Sequence, residues 1–171
     1  MTVLVAYATK NGSTGEIAQW IADELRSRGL AAETRPAADV TDVAGYEAVV
    51  LGGSLYMAGW HRDARHFAHR FAHELSGRLV WLFSSGPLDT SADEGDIPPG
   101  PQIEAAMRAL DARGHVMFGG RLSEDAHGWL GFVSHRMAEA GHRGDFRNPT
   151  RVRAWARGIA AEITTASLPR T

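Results

Sequence analysis

Short apolar segments alternate with helical stretches along most of this chain. The segment Val3-Leu4-Val5-Ala6-Tyr7 is apolar almost without interruption, which is typical of a strand covered on both faces. Alternating strands and helices favour an α/β fold, in which a parallel sheet carries helices on both sides. The pattern predicts five strands, at residues 3–7, 30–34, 48–53, 79–83 and 115–118.

Apolar residues at three- and four-residue spacing predict the helices. The first carries Ile17 and Ile21 on one face, and Gly29 is expected to end it. Ser13 stands three residues before Glu16, the spacing of a capping box, which predicts the helix start. Three more helices are predicted at residues 64–75, 103–110 and 150–164.

The stretch at about 123–148 departs from this alternation. It holds an apolar stripe between Trp129 and Ala140 and several glycines. We expect a partly helical insertion after the fifth strand, inside one domain that spans residues 1–171. The stripe favours a core or homodimer surface over a substrate lid.

The amino-acid composition excludes some kinds of chemistry and bears on the choice of partner. The chain has no cysteine, which excludes a thiol nucleophile and a cysteine-held cluster and fits a reducing cytoplasm. Its net charge of −2 does not favour a nucleic-acid partner. No apolar run has the roughly 20 residues of a membrane span, so membrane contact is at most peripheral. Lys10 is the one lysine.

The turn after the first strand is suited to an anion. Thr9, Asn11, Ser13 and Thr14 offer polar side chains, and a helix start presents free N–H groups. The turn lacks the Gly-Lys-Ser/Thr triplet of the ATPase loop, and the chain lacks the dinucleotide fingerprint G-x-G-x-x-G. Taken alone, the turn is equally consistent with a capped helix that binds nothing.

Histidines at helical spacing raise the question of a metal. His69 and His73 have the i, i+4 spacing of a zinc pair, and His66 shares their face. No nearby motif supplies a third ligand, so we predict a solvated face and no metal site.

Two further loops make the pattern more specific. Gly52-Gly53-Ser54-Leu55-Tyr56-Met57-Ala58-Gly59-Trp60-His61 follows the third strand, and Ser84-Ser85-Gly86-Pro87-Leu88-Asp89 follows the fourth. With the Thr9–Thr14 turn, these loops make the chain similar to the flavodoxin-like FMN-binding family over nearly its whole length. Within the family it most resembles the branch of menaquinone-dependent protoporphyrinogen dehydrogenases and related bacterial flavodoxin-domain proteins.

This resemblance implies a three-layer fold with the five parallel strands in the order 2-1-3-4-5. It also implies FMN as the cofactor, with its phosphate in the Thr9–Thr14 turn and its ring between the two further loops. Tyr56 or Trp60 would stack on the ring, and the Ala58–Gly59 peptide would flip beside it. The implied cofactor-binding residues are Thr9, Lys10, Asn11, Gly12, Ser13, Thr14, Ser54, Leu55, Tyr56, Met57, Ala58, Gly59, Trp60, Ser84, Ser85, Gly86, Pro87, Leu88 and Asp89.

The function implied is an oxidoreductase in which the flavin carries the chemistry, so no side chain is named as catalytic. Electrons would pass from a reduced donor, of which a porphyrinogen is the most specific candidate, to a quinone or a redox protein. The alternative is a non-enzymatic one-electron carrier that serves a protein partner.

Overall fold

The computed structural model of the chain describes residues 1–56, 59–86, 90–121 and 145–167. One sheet holds the strands β1 (Thr2–Ala8), β2 (Ala31–Pro36), β3 (Ala48–Tyr56), β4 (Gly59–Trp60), β5 (Leu79–Ser85) and β6 (Gly114–Phe118). The five long strands are parallel in the order β2-β1-β3-β5-β6, and two-residue β4 pairs antiparallel with the end of β3. Counting the parallel strands alone, this is the expected order, which is confirmed.

Helices cover both faces of the sheet. They are α1 (Ser13–Ser27), α2 (Arg62–Arg70), α3 (Ser91–Glu94), α4 (Pro101–Leu110) and α5 (Pro149–Ala166). Helix α1 packs with α5 on one side of the sheet, and α2 packs with α4 on the other. The three-layer arrangement implied by the sequence is therefore present.

Alternate residues of the central strands supply two separate cores. Leu4 of β1 belongs to the core beneath α2 and α4, which includes Phe67. Its neighbour Val5 belongs to the core beneath α1 and α5, which includes Ile21. Because both faces are buried, these strands are apolar without interruption, as the first segment of the chain predicted.

Some element boundaries differ from those predicted. Strand β3 continues to Tyr56, because Ser54 still pairs with Ser85 of β5 and residues 55–56 pair with β4. Helix α2 ends at Arg70, five residues before the predicted end. Of the predicted insertion at 123–148, only residues 145–148 lie among those described.

The start of α1 also differs from its prediction. Gly12, with φ 82°, is the capping residue, and no side chain caps the helix. Ser13 is already the first helical residue, so the predicted capping box with Glu16 is wrong. A left-handed backbone conformation, which glycine adopts without strain, starts the helix instead. The Ser13 hydroxyl is consequently left for another partner.

Candidate functional site

Three loops meet where the central parallel strands end. Ala8 of β1 stands opposite Gly53 of β3, and Ser54 of β3 stands opposite Ser85 of β5. The loops that follow these strands therefore lie side by side at one edge of the sheet. Ligands of open parallel sheets bind at this edge.

Three hydroxyl groups at this edge are buried and have no hydrogen-bond partner among the residues that the structure describes. They are Thr9 Oγ1 and Ser13 Oγ beside the start of α1, and Ser54 Oγ near the end of β3. Ser13 as a residue is only 7% exposed. Leaving a buried hydroxyl unpaired costs about 1–3 kcal/mol, so native proteins seldom do it without a ligand or water in place. The three groups are therefore available to a polar ligand.

The same place attracts negative charge. The first N–H groups of α1 have no acceptor within the helix, and the positive end of the helix dipole lies there. Helix termini of this kind bind phosphate groups. The buried Ser13 hydroxyl and the free N–H groups thus fit a phosphate monoester.

A hydrogen bond joins two of the loops. Thr14 and Ser85 bring their hydroxyl oxygens to 2.8 Å, and both side chains are buried. The hydroxyl of Thr14, predicted to bind phosphate, is therefore shared with Ser85. This bond holds the start of α1 against the end of β5.

Strands β3 and β4 form a hairpin whose pairs are Leu55–Trp60 and Tyr56–Gly59. Its tip, Met57 and Ala58, lies outside the described residues, as do Pro87, Leu88 and Asp89 of the facing loop. Tyr56 is 36% exposed and presents its ring at the hairpin. Its ring is therefore accessible to a ligand.

Trp60 is placed differently from the expectation. Its indole is 2% exposed and lies in the core, where Nε1 donates to the Gly53 carbonyl at 3.2 Å. Its backbone N–H donates to Gln102 Oε1 at 2.9 Å. Because the indole is packed inside the protein, Tyr56 is the better placed of the two aromatic residues predicted to stack on the ring. Gln102, which the sequence did not single out, instead ties the hairpin to α4.

Close approaches explain two of the small residues in these loops. A Cβ atom on Gly53 would lie 2.5 Å from Trp60 Nε1, and one on Gly86 would lie 2.8 Å from Leu55 Cβ. A larger residue at Gly86 would force the hairpin away from the loop after β5, and one at Gly53 would displace the Trp60 indole within the hairpin. Gly86 therefore sets the spacing between the two loops, and Gly53 sets the packing of the hairpin itself.

Behind the site, Ser84 is paired with a histidine on the neighbouring strand. Ser84 Oγ lies 2.9 Å from His115 Nε2, and Ser84 is fully buried. Burial lowers the pKa of His115 to about 4, so its imidazole is neutral near pH 7. Among the residues predicted to contact FMN, Ser84 is the one whose hydroxyl faces this imidazole.

An ionic cluster near the turn was not foreseen from the sequence. Arg147 binds Glu16 of α1 and Asp145, and Arg121 Nη2 lies 3.2 Å from Glu16 Oε1. Hydrogen bonds from Arg147 hold the pKa of the Asp145 carboxyl below its usual range. The charge of Glu16, which would repel a phosphate, is thus balanced by two arginines.

The two histidines of α2 lie on its solvent-exposed face. His66 and His69 are exposed. Among the described residues, no group of three or more histidine and carboxylate side chains is placed to hold a metal ion. Nor does any helix in the described ranges have the length and hydropathy needed to cross a membrane.

Comparisons with known proteins agree with this geometry. The family model described as Flavodoxin domain matches residues 4–138. A flavodoxin from Pseudomonas aeruginosa, in which one cysteine is replaced by serine, has 16% sequence identity and a TM-score of 0.63, with 96% of this chain and 99% of that chain covered. No curated protein matches.

A second solved structure is a larger protein. Rubredoxin oxygen:oxidoreductase from Desulfovibrio gigas has 10% identity and a TM-score of 0.64, with 96% of this chain and 36% of that chain covered. At such identities these structures show the fold, whereas the family model matches most of the sequence. The chain therefore belongs to the flavodoxin domain family, whose members bind FMN and transfer electrons.

Proposed function

We propose that this chain is an FMN-dependent oxidoreductase that passes electrons from a reduced donor to a quinone or a protein acceptor. The observation that carries the proposal is the set of unpartnered buried hydroxyls on Thr9, Ser13 and Ser54. They lie at the edge of the sheet where the family holds its cofactor, so the residues present fit FMN.

The phosphate of FMN would be held by the Thr9–Thr14 turn. The hydroxyls of Thr9 and Ser13 would donate to its oxygens, together with the backbone N–H groups at the start of α1. Gly12 and Asn11 shape the turn, and the ammonium of Lys10 adds a positive charge. Several neutral donors and one cation suit a doubly charged monoester.

The ring would lie between the β3–β4 hairpin and the loop that begins at Ser84. Tyr56 offers the exposed aromatic surface for stacking. Backbone groups of residues 84–89 would bind the pyrimidine edge, and the close fit of Gly86 against Leu55 keeps the two loops together. When bound, FMN supplies the redox chemistry, while the chain binds it, orients it and limits its contact with water.

The binding claim is tested with two serines of the same helix. Ser13→Ala removes an unpartnered buried hydroxyl, whereas Ser27→Ala removes an exposed one at the far end of α1. We expect the Kd for FMN, measured by quenching of flavin fluorescence, to rise about tenfold for Ser13→Ala. Ser27→Ala should leave it unchanged. A colourless protein that fails to bind FMN at micromolar concentration would refute the proposal.

The acceptor, and protoporphyrinogen as an electron donor, are tested with the FMN-loaded protein. Rapid two-electron turnover with menadione supports the quinone-linked enzyme, and turnover with protoporphyrinogen would extend it to the porphyrin branch. Slow turnover with both, alongside rapid one-electron exchange with a redox protein, would assign the chain to the electron carriers instead.

A further inference from the structure

A cationic face runs along α2, opposite the face that is buried. Ala64, Phe67 and Ala68 of this helix pack in the core. The remaining side carries residues at the spacing i, i+3, i+4, i+7 and i+8, which places them on one face of a helix. These five residues, all exposed, form the α2 cationic face: Arg62, Arg65, His66, His69 and Arg70.

This face adjoins the hairpin that carries Tyr56. Helix α2 begins two residues after Trp60, the last residue of the hairpin. Arg65 Nε donates to the carbonyl oxygen of Trp60 at 3.1 Å. The positive charge of α2 thus starts beside the proposed ring site, so this inference rests on the proposed function.

Two of the three arginines on this face, Arg65 and Arg70, are held by backbone carbonyl oxygens. Arg70 donates to the carbonyl oxygens of Val40 and Thr41, at 3.4 and 3.3 Å. Carbonyl acceptors hold a guanidinium without cancelling its charge. Helix α2 contains one carboxylate and three arginines. The carboxylate is that of Asp63, which lies 3.6 Å from Arg62 Nε. Since the whole chain carries a net charge of −2, this positive face is a local feature.

We propose that the α2 cationic face docks an acidic redox protein beside the FMN ring. In each encounter one electron leaves the reduced cofactor and reduces one oxidised one-electron centre of the partner. Opposite charges around two redox sites raise the association rate and favour a reactive orientation. A protein fits better than a lipid surface, because a helix that lies on a membrane turns its apolar side to the lipid, and α2 buries that side in the core.

Oxidants of opposite charge test the proposal. FMN-loaded protein is reduced with dithionite and mixed with ferricyanide, a trianion, or with tris(phenanthroline)cobalt(III), a trication; each takes one electron. We expect the ferricyanide rate to fall as ionic strength rises, and Arg62→Glu to lower it about fivefold at low salt. A ferricyanide rate that rises with salt would overturn the proposal.

A matched variant separates the face from net charge. Arg153→Glu makes the same change of charge at an exposed position of α5, on the other side of the sheet. It should change the ferricyanide rate less than about twofold. Equal effects of Arg62→Glu and Arg153→Glu would show that no docking face exists on α2.

A second measurement needs no flavin. Fluorescence anisotropy of a rhodamine-labelled decaglutamate peptide should show binding that Arg62→Glu weakens and Arg153→Glu does not. Stronger Arg62-dependent binding of decathymidylate or of anionic phospholipid vesicles would overturn the proposal in favour of those partners. If the protein binds decaglutamate but not FMN, the proposed function is refuted and the cationic docking face still stands. If it binds FMN but Arg62→Glu changes neither the ferricyanide rate nor decaglutamate binding, the docking face alone is refuted.

Discussion

Lys10 Nζ lies 4.1 Å from the centroid of the Tyr56 ring. This cation–π contact joins the polar turn after β1 to the hairpin after β3, which are the proposed phosphate and ring sites. A cation over a tyrosine contributes on the order of 0.5–1 kcal/mol at an exposed position. The lone lysine of the chain therefore belongs to the proposed phosphate turn and contacts the proposed ring site.

Lys10→Met should weaken the binding of FMN more than that of riboflavin, which lacks the phosphate. Loss of the ammonium removes attraction to the phosphate, so we expect the Kd for FMN to rise about tenfold. The Kd for riboflavin should change less than about twofold, since the contact with Tyr56 is weak. Both are measured by quenching of flavin fluorescence, and Lys10→Arg should restore most FMN affinity. Equal losses for both ligands would place the effect of Lys10 on the ring.

Gly53→Ala should destabilise the protein and disturb the hairpin. Its Cβ would lie 2.5 Å from Trp60 Nε1, inside the core. Overpacking of this kind costs about 1–3 kcal/mol, which urea unfolding measures. Gly45→Ala, where a Cβ meets nothing within 4 Å, is the control and should change the free energy of unfolding by less than about 0.5 kcal/mol. Similar losses in the two variants would argue against close packing at Gly53.

Gly59→Val tests whether the Ala58–Gly59 peptide changes conformation with the redox state. The backbone of Gly59 is not in the left-handed region here, so valine can adopt its conformation in the paired hairpin. The one close contact of the new Cβ would be with the Tyr56 carbonyl oxygen, at 3.3 Å. A flipped peptide that needs the freedom of glycine would become costlier. We expect redox titration to show a shift of at least one of the two one-electron potentials. If both stay unchanged, the flipping hypothesis is wrong; Gly45→Val is the control.

Acid should destabilise the protein through His115. The unfolded chain protonates this imidazole near pH 6.5, whereas the folded protein does so near pH 4. Between these values the unfolded state binds more protons, so the free energy of unfolding falls as the pH drops. Above pH 6.5 the imidazole is neutral in both states and does not lower the free energy of unfolding. By pH 4 its protonation in the unfolded state has lowered that free energy by up to about 3 kcal/mol.

The comparison is made by urea unfolding at pH 7.5 and 4.5. His115→Gln cannot take up the proton and should lose less stability over this interval than the unchanged protein. Carboxylates that titrate in the same range contribute to both proteins and cancel in the difference. The same loss in both would mean that His115 is not the group responsible.

Local patterns predicted the parts of the fold that depend on local sequence. The apolar run at Val3–Tyr7 and the stripe through Ile17 and Ile21 predicted β1 and α1, because burial on one or two faces leaves a periodic trace. Gly29, with φ 83°, follows the end of α1 as predicted. The polar turn between these elements was located correctly as well.

The rest of the site depends on contacts between distant residues. Trp60 looks like a loop aromatic in sequence, yet its indole lies in the core and donates to the Gly53 carbonyl, while its backbone N–H donates to Gln102. Ser13 has capping-box spacing, but Gly12 starts the helix. No local pattern indicates which carboxylates Arg147 meets, since Glu16 is 131 positions away.

Arg147→Met should be much more destabilising than the loss of an exposed arginine. The Arg147 side chain is 4% exposed and binds both Glu16 and Asp145, so its removal leaves two carboxylates without their main partner. Both carboxylates are 46% exposed, and solvent therefore limits the loss to about 2 kcal/mol. Arg28→Met removes a side chain that is 50% exposed and leaves its partner Glu24 paired with Arg157, so it should cost less than about 0.5 kcal/mol in urea unfolding. The pKa of Asp145, followed by NMR, should rise in Arg147→Met and stay unchanged in Arg28→Met, because hydrogen bonds from Arg147 are what lower it. An unchanged pKa would contradict this account of the cluster.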